Sequence, residues 1–248
     1  MKRYHAIRAL AAASVAVLVA ACGGGDDGAA ANVDISGVWQ NTSGGFVYAL
    51  NGVTYGYQIE GSTIRYFRGA NYAATGNSFS FASSRYDEGP VSQVVTSANG
   101  RTGSIAGSYL PGSDDIALSF TTATSNTFDD MTVKYQAIGS TAQSLLDYEG
   151  TYTIATGVTV VVDATSATSG TLVGTAVNGC NFDGTITRTR SDRNVWAVSL
   201  TQSNCTVDAT RNGETSTGLA TMGTTNTTKL LRVLSFDGKA WNRIETQK

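Results

Sequence analysis

Phe46-Val47-Tyr48-Ala49-Leu50-Asn51-Gly52-Val53-Thr54-Tyr55-Gly56-Tyr57-Gln58-Ile59 places two apolar, β-prone runs on either side of an Asn-Gly pair. Asn-Gly tolerates the positive φ angles of a type I′ turn, whose twist matches that of the strands it joins. The stretch therefore predicts a hairpin with strands over 46–50 and 53–59.

Working outward, the same period of two recurs along the chain. Ile116, Leu118 and Phe120 alternate with Asp115, Ala117 and Ser119, and Met131, Val133 and Tyr135 alternate with Thr132, Lys134 and Gln136. Such alternation marks strands with one face on a core and the other in water. Further strands are predicted over 62–67, 78–83, 91–97, 102–109, 116–121 and 131–138. Pro111-Gly112 and Glu88-Gly89-Pro90 supply turn chemistry between them. Residues 139–147 break the pattern and read as a linker or short helical turn. Strands then resume over 150–155, 158–163, 170–177, 182–188, 195–201, 218–222, 230–236 and 239–245. Both halves open on a Gly-x-aromatic strand, Gly37-Val38-Trp39 and Gly150-Thr151-Tyr152.

The expected fold is all-β, as two tandem small antiparallel β-barrels of about eight strands each, over residues 35–138 and 148–248. Closure removes exposed sheet edges, which favours barrels. The alternative is one large β-sandwich or barrel using every strand.

Val19-Ala20-Ala21-Cys22 closes an apolar stretch that follows Lys2, Arg3 and Arg8. The run resembles the lipobox of bacterial lipoproteins. That resemblance implies a signal peptide over 1–21, cleavage before Cys22, and diacylglycerol and palmitate-type acyl chains on that cysteine as a membrane anchor. Residues 22–34, beginning Cys22-Gly23-Gly24-Gly25-Asp26-Asp27-Gly28, then form a flexible tether. Gly23, where related lipoproteins retained in the inner membrane carry aspartate, favours the outer membrane, facing either periplasm or cell surface. The second half also resembles small exported β-barrel modules in a general way.

Processing at Cys22 removes His5, the single histidine. A mature chain without imidazole lacks a Ser-His-Asp or Cys-His nucleophile and any metal site that needs histidine. No phosphate or dinucleotide loop is present, and no cofactor is expected. Removing three of the 17 basic residues leaves 14 against 19 acidic ones, a net charge of −5. Nucleic acid is accordingly not an expected partner. Asp87, Glu88, Asp114, Asp115, Asp129 and Asp130 could supply paired carboxylates for glycoside hydrolysis, although acids in turns are ordinarily solvated surface.

Export leaves Cys180 and Cys205 as a pair in an oxidising compartment, at the same end of a predicted hairpin, so a disulfide is expected. Tyr66 and Phe67 are adjacent and must point to opposite sides of a strand. With Tyr55, Tyr57, Arg65 and Arg68 they form a candidate binding surface for a sugar, an aromatic ligand or a protein, core packing being the plainer alternative. Trp196, Val198 and Leu200 read as core, and Trp241 as a barrel-end plug. Arg188, Arg190 and Arg193 surround Asp192 in a basic turn that suits an acidic partner or an ordinary charged hairpin. The function expected from this combination is a non-catalytic, membrane-tethered binding module for a small molecule, glycan or protein. The rivals are a structural or assembly lipoprotein contacting envelope proteins, and a carboxylate-based glycoside hydrolase.

Overall fold

Alternating side chains impose two faces on each strand, and the computed structural model closes those strands into two modules. It describes residues 32–248 apart from 62, 89–93, 97–100, 111–114, 123–130, 156–157, 176–178 and 239. Cys22, the leader, Asp114, Asp129, Asp130 and the Pro111-Gly112 turn lie outside the described residues, as do the side chains of Asp87, Glu88 and Asp115.

The strands of the first half are β1 (Gly37–Asn41), β2 (Phe46–Leu50), β3 (Val53–Glu60), β4 (Thr63–Thr75), β5 (Ser78–Glu88), β6 (Val94–Thr96), β7 (Arg101–Leu110), β8 (Asp115–Thr122) and β9 (Met131–Tyr135). Those of the second are β10 (Gly150–Ala155), β11 (Val158–Ala164), β12 (Ser169–Thr175), β13 (Asn181–Thr187), β14 (Trp196–Ser203), β15 (Thr215–Thr225), β16 (Thr228–Phe236) and β17 (Ala240–Gln247). All pairings are antiparallel, and β1-β2-β3-β4-β5-β7-β8-β9 form a closed barrel. β10 to β17 follow one another in a second sheet that curls until β10 also meets β17 at Thr153 and Gln247. Asn51 and Gly52 sit at φ 50° and 81°, as the founding hairpin requires.

One strand departs from the expected arrangement. The sequence places residues 91–97 in the first barrel, but β6 pairs with β17 of the second sheet through Val95 opposite Trp241. β5 and β7 already pair directly from Ser78–Ser108 to Arg85–Arg101, so the first barrel closes without it and β1 brings its strand count to eight. β4 and β5 also run longer than expected. A bulge between Ala70 and Ala73, with Asn71 at φ 55°, shifts the inward face of β4 from Phe67 and Gly69 to Tyr72 and Ala74, so a strict period of two loses phase there. The linker region holds 3₁₀ turns at Ala137–Gly139 and Leu145–Tyr148, and β9 stops at Tyr135 because the chain turns away there.

Both interiors are filled. Trp39, Val47, Phe67, Phe79, Phe81, Ile105 and Val133 pack inside the first barrel, with Ile35 from the entering chain among them. Gly56 makes room for this packing, since a Cβ there would lie 2.1 Å from the Phe67 ring. Tyr152, Val160, Leu172, Trp196, Val198, Leu200, Met222 and Val233 fill the second module, as the alternation at Trp196–Leu200 predicts. Cys180 and Cys205 form the expected disulfide beside β13 and β14. Replacing both by serine is expected to cost about 3 kcal/mol, from the unfolded-state loop the bond closes, measured as a lower urea midpoint that reductant does not lower further.

Residues Asn32–Lys248 constitute one compact unit, because a third core joins the modules. The outward faces of β2, β3 and β4 contribute Phe46, Tyr48, Tyr55, Tyr57 and Tyr66. β15, β16 and β17 answer with Leu219, Leu234, Phe236 and Trp241. Trp241 is thus an inter-barrel residue and not a barrel-end plug. Its ring stacks on Phe236 at 4.7 Å and on Tyr66 at 5.2 Å between centroids, and meets Tyr55 edge-on at 6.1 Å.

Candidate functional site

The six aromatic and basic residues singled out from sequence are brought together on adjacent strands, where packing uses most of them. Tyr55, Tyr57 and Tyr66 are buried between the modules, and Phe67 is buried inside the first barrel. Tyr66 and Phe67 do point oppositely, and the neighbouring module covers the face that would otherwise be wet. Arg68 is exposed and stands 5.6 Å over the Tyr55 ring, while Arg65 faces Gln58 across β3 and β4. Tyr55 shares a 3.1 Å hydrogen bond with Thr217, and the Tyr57 hydroxyl donates to Glu245. Burial, reinforced by neighbouring acidic groups, pushes the Tyr48 and Tyr57 phenols well above their ordinary range, so both stay protonated donors.

The basic turn is likewise engaged within the molecule. Arg190 bridges Asp34 at 2.6 Å and Asp192 at 2.7 Å, and Arg193 donates to the Ser36 carbonyl at 2.7 Å. Arg188 donates to the Gln143 carbonyl and covers the Trp196 ring at 5.3 Å. Burial raises the Asp34 carboxyl, but hydrogen bonds from Ser36 and Arg190 outweigh it and hold the group below its usual range. Arg190 holds Asp192 down at about 2. The turn thus pins the chain entering β1 to the second module.

Among the described residues, the larger open volumes lie outside the packed interiors. The space among Ile35, Trp39, Phe67, Phe79 and Phe81 in the first barrel amounts to about 10 Å³, too little for a ligand and about the minimum for one water. Among the described residues, two larger clefts open on the surface. One, of about 380 Å³, lies where the β1–β2 turn meets β3 and β9, and is lined by Gln40, Asn41, Thr42, Ser43, Gln58, Thr132, Lys134 and Gln136. The other, of about 510 Å³, lies on the seam between the modules, with Phe46, Thr141, Gln143, Tyr148, Thr225 and Arg232 in its walls. Gln40 and Gln136 line both. These volumes fall in the range of small-ligand sites, about 300–1,000 Å³.

Comparison with protein-family models, with curated proteins and with solved structures finds no match. The geometry of the clefts therefore carries the functional argument. Amides and hydroxyls line the smaller cleft beside Lys134, the seam cleft adds Phe46, Ile138, Leu230 and Arg232, and no described residue lining either is acidic. Neutral amides have no spacing motif, so Gln40, Asn41, Gln58 and Gln136 escaped the sequence reading. One signal was present: Gln58 follows Thr54 and Gly56 on the inward face of β3, a polar residue at a core position.

Proposed function

We propose that this chain is a lipid-anchored envelope protein, held at the bacterial outer membrane through Cys22, that binds its partner non-catalytically in the surface clefts and not in a barrel lumen. The observation behind this reading is the contrast between a first-barrel interior with about 10 Å³ of room and surface clefts of about 380 and 510 Å³. A ligand enclosed in either module would have to displace a packed apolar core. Glycans and protein segments remain suitable occupants of an open polar cleft. The lipobox-like run before Cys22 supports the anchor.

Two experiments test the reading. In Cys22→Ala the acylated N-terminal peptide is expected to disappear from mass spectra and the protein to leave the membrane fraction. An unmodified wild-type N-terminus, or unchanged fractionation of the variant, would overturn the anchor. Photo-crosslinkers at Thr42 and Thr225, one on each cleft, are expected to give envelope adducts absent from a crosslinker at Asp183 on the exposed face of β13. Adducts from Asp183 alone, or none from either cleft position, would overturn binding at the clefts.

A further inference from the structure

Arg232 is the one charged residue among those described in the walls of the seam cleft. Its guanidinium stands 4.6 Å over the Phe46 ring, and among the described residues no carboxylate or carbonyl takes its N–H donors. Glu245 faces it across the β16–β17 register, but that carboxylate accepts from the Tyr57 hydroxyl and forms no ion pair with Arg232. Lys229, the next cation along β16, is engaged at the Asp147 carbonyl and over the Tyr148 ring. Arg232 is only half-buried, so a molecule in the cleft can reach it. The surroundings are set in advance: Tyr148 donates to Gln143 at 3.3 Å and shares a 3.2 Å hydrogen bond with Thr224, and Ile138 lies so close to Gly223 that a Cβ there would be 2.0 Å from its Cδ1.

One guanidinium in an acid-free wall balances one negative charge. A carboxylate matches its planar fork in charge and in shape, whereas a dianionic phosphate calls for further cations. The rest of the wall offers two kinds of surface. Ile138 and Leu230 present partly exposed apolar side chains, and Gln40 and Gln136 present amides that both donate and accept, as peptide groups do. We infer that the seam cleft receives the free C-terminal carboxylate of a peptide whose last side chain is apolar. Arg232 holds the carboxylate, Ile138 and Leu230 cover the last side chain, and Gln40 and Gln136 meet the peptide groups before it. The inference rests on the surface-binding reading above and names the occupant of one of its clefts.

The test uses the full chain in detergent micelles, titrated calorimetrically with an N-acetylated tetrapeptide of three alanines and a C-terminal leucine, with its C-terminal amide, with 4-methylpentanoate and with inorganic phosphate. The free acid is expected to bind saturably and about tenfold more tightly than the amide, with an affinity that falls between about 50 and 500 mM salt. Arg232→Gln is expected to bring the acid down to the affinity of the amide and to leave the amide unchanged. Loss of packing over Phe46 would instead weaken both ligands alike. Thr225→Glu sets an acid on the exposed rim without altering Arg232, and is expected to weaken the free acid by about tenfold at an unchanged melting temperature. Equal affinity for acid and amide, no binding of the acid to about 10 mM, tighter binding of phosphate or 4-methylpentanoate than of the peptide acid, or an acid preference that survives in Arg232→Gln would each overturn the inference. If Thr42 and Thr225 still crosslink while acid and amide bind alike, the surface-binding reading stands and only the occupant falls.

Discussion

Trp241→Ala is expected to lower stability by about 4 kcal/mol and to uncouple the two modules. The indole is 1% exposed and lies between Phe236 and Tyr66, so its removal leaves a void that neither rigid sheet can close. The chain has three tryptophans, and the other two report separately: Trp39 lies inside the first barrel and Trp196 inside the second module. In the wild type their fluorescence should follow one urea transition. In Trp241→Ala, with Trp39→Phe or Trp196→Phe added to isolate each probe, the midpoints should separate. Trp241→Phe should keep a stacked ring and lose much less. Coincident midpoints with a loss below about 1 kcal/mol would show that the modules are coupled by something else.

The second large effect is expected at Asn194, a fully buried amide that ties the linker to the second module. Its Nδ2 donates to the carbonyls of Ile138, at 2.7 Å, and Met222, while Oδ1 accepts from Trp196 Nε1 at 2.9 Å. Its backbone adds a donation to the Gly139 carbonyl, and its carbonyl accepts from Thr221. Asn194→Ala strands three buried partners at about 1–3 kcal/mol each, for a total near 4 kcal/mol after relaxation. Urea denaturation should show a lower midpoint at unchanged slope. Asn194→Asp should be worse, since it sets a carboxylate against two carbonyl oxygens. A loss below about 1 kcal/mol in both variants would mean that water replaces the amide.

These two residues mark what could and could not be read in advance. Trp196, Val198 and Leu200 were legible because alternation reports directly which side chains share a face, and nearly every strand followed from it. The disulfide followed from its position on a hairpin. Alternation is silent about what lies beyond the outer face. Tyr55, Tyr57 and Tyr66 therefore read as core packing or a candidate ligand surface, and Trp241 as a barrel-end plug, whereas the other module covers all four. Asn194 carries no local signal, because its partners lie 56 and 28 residues away. Tyr55, Tyr57 and Tyr66 meet in the inter-module core and Phe67 turns into the first barrel, because the energy of burying aromatic surface directs all four to packing. The amide-rich cleft forms where turn and strand ends from distant segments meet, and Gln58 alone betrayed it by being polar on an inward face.

β6 has a bearing on how the molecule is made. Val95 finds its partner Trp241 across 146 residues of chain. A chain that emerges N-terminus first delivers one strand well before the other. The first barrel can close during that interval, since β5 and β7 pair without β6. The crossing strand becomes the last stitch, available only once the chain has emerged nearly to its end, and a product truncated before β17 would leave β6 with nothing to join.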